Sequence, residues 1–280
     1  MTRPSPAQAQ VHASLQVPWR AARWGTAVGA VLAAGWCVPA QWLAQAVASA
    51  SQERVQLAQA QGSLWTGSAV LVLTGGAGSR DAAALPGRLS WRLRPGWVQG
   101  SPGLQVELQQ AGATAQPLKL ALQAGVGRWR WQLVSAPHST ALGTWPVAWL
   151  SGLGTPFNTL ALQGSMRLHA QSLWWEQVQG RWRLGGHAWL EVDHLSSRLS
   201  PLTLGSYRLD LTGGSEAQPA TLRLSTRQGD LQLSGTGHWG TGRLRFDGQA
   251  QAAPEAQTAM NPLLNLVGRR DGARSIISIG

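Results

Sequence analysis

One short phrase recurs through most of this chain: a glycine, then residues that alternate apolar and polar, then another turn. It is found at Gly87-Arg-Leu-Ser-Trp-Arg-Leu93, Gly103-Leu-Gln-Val-Glu-Leu108, Gly127-Arg-Trp-Arg-Trp-Gln-Leu133, Gly180-Arg-Trp-Arg-Leu184, Gly205-Ser-Tyr-Arg-Leu-Asp-Leu211, Gly229-Asp-Leu-Gln-Leu233 and Gly242-Arg-Leu-Arg-Phe246. Side chains on a β-strand point alternately to opposite faces, so each phrase sends Leu, Trp, Val or Phe to one face and Arg, Gln, Asp or Glu to the other. The spacers are short and rich in Gly, Pro and Ser, which suits strands that follow one another in antiparallel order. Parallel strands would need crossover helices that the sequence lacks.

The fold class expected is therefore mainly β, a curved antiparallel sheet with one or two short helices. The helical candidates are 139–153, which Pro146 bends, and 255–267, where Pro262 intrudes. Trp91, Trp129, Trp131 and Trp182 all fall at apolar parity and mark a candidate apolar face. Two short helices are too little to cover such a face, which leaves an open groove; the alternative is a sheet folded onto itself as a sandwich with those four rings in its core.

The N-terminal part obeys a different rule. No ionisable residue other than Cys37 stands between Arg23 and Glu53, and Trp24 to Ala40 reads WGTAVGAVLAAGWCVPA. About 20 apolar residues cross a bilayer core. With Trp42, Leu43 and Ala44 the run reaches that length, and Trp24, Val28, Val31, Leu32, Trp36 and Trp42 are the residues expected to form the anchor. Arg3, Arg20 and Arg23 precede it without any acid, so this flank stays cytoplasmic and the rest is exported. The division expected is a cytoplasmic tail over 1–23, a membrane anchor over 24–48 and a periplasmic β-rich domain over 49–280. The rival is a cleaved signal peptide, since Ala44-Gln-Ala46 and Ala48-Ser-Ala50 fit a small-residue cleavage site. Cys37 is the single cysteine, which excludes internal disulfides and thiolate metal clusters.

The formal net charge is +11, and Lys119 is the only lysine among 23 basic residues. The arginines alternate with Leu and Trp along the strands, so they spread over a solvated face. Nucleic-acid readers place basic and stacking residues together, whereas Trp129 and Trp131 point away from Arg128 and Arg130; no nucleic-acid partner is expected. Nor does the chain advertise chemistry. The six histidines form no zinc motif. His187, Glu191 and Asp193 share strand parity while His194 has the other, a pattern that a wet strand face explains without a metal. Gly235-Thr-Gly-His-Trp-Gly240 matches a dinucleotide fingerprint in letters only, because a strand follows it where a helix is required; it reads as a hairpin turn. No catalytic residue, metal or cofactor is expected, and the chain is not read as an enzyme.

Some longer phrases are more specific: Gly62-Ser-Leu-Trp-Thr-Gly67, Leu153-Gly-Thr-Pro-Phe-Asn-Thr-Leu-Ala-Leu-Gln-Gly164, Ser197-Arg-Leu-Ser-Pro-Leu202 with Leu204-Gly-Ser-Tyr-Arg-Leu209, and the tail from Asn261 to Gly280. After one N-terminal span, they resemble the type II secretion system protein N family. That resemblance implies a non-catalytic inner-membrane accessory of the machine that exports folded periplasmic proteins, with other subunits of the system and the inner membrane as partners. Gly154, Thr155, Pro156, Phe157 and Asn158 are its candidate turn or docking motif. Turn chemistry accounts for each of them: the proline holds the chain extended before Phe157 enters the sheet, and Asn158 satisfies backbone groups locally. A rival of another class is a lipid-binding or lipid-transport protein of the envelope, because a tethered curved sheet with a Leu/Trp inner face resembles the groove of AsmA-like proteins.

Overall fold

The computed structural model describes residues 37–98, 100–134, 141–214, 219–240 and 243–280. Residues Pro39–Gly280 form one compact unit. Trp24, Val28, Val31, Leu32 and Trp36 lie outside the described residues, and among those described no helix is long and apolar enough to cross a membrane.

Sixteen strands build one sheet in which every pairing is antiparallel. In chain order they are β1 (Val55–Gly62), β2 (Thr66–Thr74), β3 (Ala82–Ala84), β4 (Leu89–Val98), β5 (Ser101–Gln110), β6 (Leu118–Gly125), β7 (Arg128–Leu133) and β8 (Gly143–Pro146). Then follow β9 (Leu162–Val178), β10 (Arg181–Ser197), β11 (Gly205–Thr212), β12 (Ala220–Gln228), β13 (Leu231–Gly240), β14 (Arg243–Ala252), β15 (Arg269–Asp271) and β16 (Arg274–Ile279). Neighbours in space are almost everywhere neighbours in sequence. Only β3, which pairs with β2, β8, which pairs with β9, and the exchange of β15 and β16 at the far edge depart from that order. The alternating phrases dictate this, since each strand needs only a short turn to reach its partner.

The register carries one apolar face across the sheet. Leu104, Leu122, Trp131, Trp175 and Leu184 stand opposite one another in succession from β5 to β10. Leu168, Leu190, Leu209 and Leu224 do the same from β9 to β12. All nine are half-buried, so among the described residues no second layer closes over them. The sheet is open, and the sandwich alternative is not what forms.

Among the described residues, cover is confined to two places. At the end of the strands that holds Met166, Leu195, Tyr207, Leu231 and Ala250, a 3₁₀ segment Val147–Leu153 and a helix, α3 (Gln257–Val267), bring in Val147, Met260, Leu263 and Leu264 to make the main core. Ala250, Ala252 and Ala256 are fully buried, and their small side chains let the helix approach the sheet. Pro262 lies within α3, where it denies the Thr258 carbonyl its helical partner, and packing of Leu263 and Leu264 outweighs that loss. The region expected to be helical over 139–153 instead pairs first as β8 and only then turns into the 3₁₀ segment.

The second cover is α1 (Ala40–Ala50), capped by Pro39, which lies on the first strands. Ala40 packs there with Ala69 and Trp91, flanked by Leu43, Leu57 and Leu93. The chain from Pro39 on therefore belongs to the compact unit, and an isolated bridge joins Pro39 to Ser63 in the β1–β2 turn.

The pairing of the two longest strands carries two of the sheet's irregularities. The β9–β10 register shifts between Gly185 and His187 and again between Asp193 and Ser196. Ser172 (φ 51°) and His194 (φ 52°) take left-handed backbone there. Each extra residue bends its strand and adds twist, which curves a sheet this wide.

Candidate functional site

The sheet offers two candidate surfaces, one on each face. On the apolar face, the four tryptophans singled out by parity meet different fates. Trp91 is buried beneath α1, and its indole N–H donates to the carbonyls of Ser63 (3.3 Å) and Leu64 (3.1 Å). Trp131 is half-buried and stacks on Trp175 at 5.7 Å and 17°. Trp129 and Trp182 stay half exposed. The register sets Trp129 and Trp182 on either side of Gln177, so they share a row. Trp42, read from the sequence as part of the anchor, lies near the start of α1 and is 67% exposed.

The opposite face is a lattice of charge. Glu191 on β10 receives Arg227 (3.1 Å), Arg167 (3.4 Å) and Arg208 (3.5 Å), one from each of β12, β9 and β11. Arg167 also pairs with Asp193 at 2.7 Å, and Arg208 with Asp210 at 3.0 Å. His169 approaches Glu191 at 3.6 Å and His187 approaches Asp210 at 3.3 Å. The histidine and acid cluster seen in the sequence is thus an ion-pair network: Glu191 and Asp193 are held by arginines, and His194 is exposed on the bulge. Among the described residues no group of His, Cys, Asp and Glu has the arrangement of a metal site.

Two tryptophans that parity did not assign to the apolar side also stand on this face. Trp189 lies between His169 (4.9 Å, 3°) and His187 (5.0 Å, 28°), with the Arg208 guanidinium 5.0 Å from its ring. Trp174 lies under the Arg130 guanidinium at 4.6 Å, over the bare backbone of Gly185, where a Cβ would collide with its ring. The signal in the sequence was the doublet Trp174-Trp175, since adjacent residues of a strand cannot share a face.

The motif at 154–158 folds as a turn, but differently from expectation. Gly154 has φ 83°, the Thr155–Pro156 bond is cis, and Phe157 starts a single helical turn, α2 (Phe157–Leu160), so the sheet resumes only at Leu162. Asn158 donates its side-chain N–H to the Asp81 carboxylate at 3.1 Å, while its backbone N–H donates to Gly154. The motif therefore ties the 3₁₀ segment to the loop after β2.

Further phrases quoted from the sequence turn out to be structural devices. In Gly205-Ser-Tyr207, the buried phenol of Tyr207 donates to the Leu231 carbonyl at 2.8 Å; burial, reinforced by the Asp230 carboxylate, raises its pKa above the ordinary tyrosine value. The Gly235–Gly240 phrase is the second half of strand β13 rather than a turn, because the ring of Phe246 lies across Gly235 and Gly237 and occupies the space a side chain there would need. Ser197 donates to the Leu160 carbonyl and Ser275 to the Leu264 carbonyl, which pins α2 and α3 to the sheet.

No curated protein and no solved structure matches the chain. A family model does: type II secretion system protein N matches residues 53–277, which takes in the sheet from β1 almost to the end of β16. The chain accordingly belongs to the type II secretion system protein N family, and with it to the components of that secretion system.

Proposed function

We propose that this chain is a non-catalytic, membrane-anchored accessory of the type II secretion system that supports release of folded proteins across the outer membrane. The observation that carries this reading is the family match over 53–277. The uncharged run from Trp24, with its basic flank, acts as a retained anchor in the inner membrane with the N-terminus in the cytoplasm, and the sheet lies in the periplasm. Other subunits of the system are its partners. The lattice around Glu191 is a structural element of the polar face, since each of its carboxylates is already engaged by arginine.

Two measurements test this. Alkaline phosphatase fused after Gly280 is expected to be active, and a mature chain beginning at Val47 or Ser51 would overturn the retained anchor. Loss of the chain is expected to stop exoprotein release while the outer-membrane barrier stays intact.

A second reading has its own observation in the half-buried leucine rows of the apolar face. A sheet of this kind, similar to the AsmA-like groove, would hold an acyl chain against those rows. Mass spectrometry of lipid co-purified with the chain decides it: absence of lipid from chain extracted in mild detergent counts against the groove, and a leaky outer membrane with normal exoprotein release would favour it over the secretion role.

A further inference from the structure

All five exposed tryptophans among the described residues, Trp42, Trp97, Trp129, Trp182 and Trp239, lie toward one end of the strands, the end opposite the main core. Three of them form a single line. Trp97 faces Pro102, Ala124 faces Trp129, and Trp129 and Trp182 both face Gln177, while the Gly103–Gln123 pairing sets Pro102 beside Ala124. The row crosses β4 to β10, five strand spacings or about 24 Å. Trp97 is 73% exposed, Trp182 52% and Trp129 50%, and Val126 at the tip of the β6–β7 turn is fully exposed.

The same three hairpin ends carry Arg128, Arg130, Arg181 and Arg183 on the opposite face. Among the described residues of 96–103, 123–130 and 176–183 the acid present is Glu176, which is buried and paired with Arg128. Four arginines against one carboxylate leave this rim with a charge of +3. Exposed indole rings are costly in water, and beside a net positive rim they are well matched to the headgroup layer of an anionic bilayer, where indole takes the apolar side and arginine the phosphates.

We infer that this rim, formed by the β4–β5, β6–β7 and β9–β10 hairpin ends, docks onto the surface of an anionic phospholipid bilayer. Val126, Trp97, Trp129 and Trp182 enter the interface, and Arg128 and Arg181 bind lipid phosphate. A protein partner also favours Trp and Arg, but protein hot spots converge in a desolvated pocket. Here the residues are strung along an edge, one or two per hairpin, as a plane requires.

The test uses the full chain with Cys37→Ser, carrying either Val126→Cys or, at the opposite end of the strands, Leu199→Cys, each labelled with an environment-sensitive fluorophore. Vesicles of phosphatidylethanolamine and phosphatidylglycerol contain a lipid-borne quencher. The label at 126 is expected to be quenched and blue-shifted while that at 199 stays accessible to aqueous iodide. Arg128→Glu together with Arg181→Glu is expected to lower the docked-to-free ratio by more than about fivefold per arginine, since each reversal removes one positive charge and adds a negative one. Equal quenching at both positions, or quenching at 126 only after other secretion proteins are added, overturns the inference, and indifference to the charge reversals overturns the phosphate contacts. Flotation with vesicles that survives high salt and alkaline carbonate reports the anchor separately, so rim and anchor fail independently.

Discussion

Glu191 is the residue on which most of the polar face depends. Three guanidinium groups from three strands converge on it, all of them partly exposed and partly screened. Its replacement by alanine leaves those cations facing one another, so Glu191→Ala is expected to destabilise the fold by about 1–3 kcal/mol, measured by urea denaturation, and addition of salt is expected to recover part of the loss. Tyr207 makes a different kind of contribution. Tyr207→Phe keeps the ring in the core but strands the Leu231 carbonyl, at a cost of about 1–2 kcal/mol. Because burial raises the phenol's pKa, the hydrogen bond is present throughout the neutral range, and alkali rather than acid is expected to weaken it. Phe246→Ala uncovers Gly235 and Gly237 and is expected to cost about 3–5 kcal/mol as a cavity on the sheet.

Among the elements, α3 carries the largest single share of cover, and Leu263→Ala is expected to lower stability by about 2–5 kcal/mol in the same denaturation measurement. What the sequence disclosed about these elements follows from which forces are local. Strands β4, β5, β7, β11 and β14 were legible because alternation is written residue by residue. The 17-residue lengths of β9 and β10 were not, since their bulges at Ser172 and His194 interrupt the alternation while the ladder continues past them. Helix α3 was legible in spite of Pro262, whereas β8 was not, because its pairing with β9 rests on partners 19 to 25 residues away. The same limit applies to the candidate surfaces. Parity placed Trp129 and Trp182 on one face, but only the register shows that they share a row with Trp97, and no local signal links Glu191 to Arg167, Arg208 and Arg227.

At the scale of the molecule, the described residues cover the sheet at one end with α3 and the 3₁₀ segment, beside β1 with α1, and elsewhere not at all. A construction of this kind has an apolar side, a charged side and a rim that combines the two, all set by the alternation of a repeated phrase. Trp129→Gln together with Trp182→Gln alters exposed positions and is expected to leave the unfolding free energy within about 0.5 kcal/mol of the parent. If release of exoproteins falls in that variant while the fold persists, the rim is needed for secretion rather than for stability.

The nearly unbroken strand order also determines how the sheet can be made. Most strands complete their ladder with the one before them, so loop closure is short at most steps, the longest being β7 with β9, and contacts between distant parts of the chain are not needed to begin. A chain delivered N-terminus first can therefore lengthen its sheet one hairpin at a time, with a sticky leading edge at every stage until the last. Growth stops at β15, three exposed residues that include Arg269, Arg270 and Asp271, too short and too charged to template another strand.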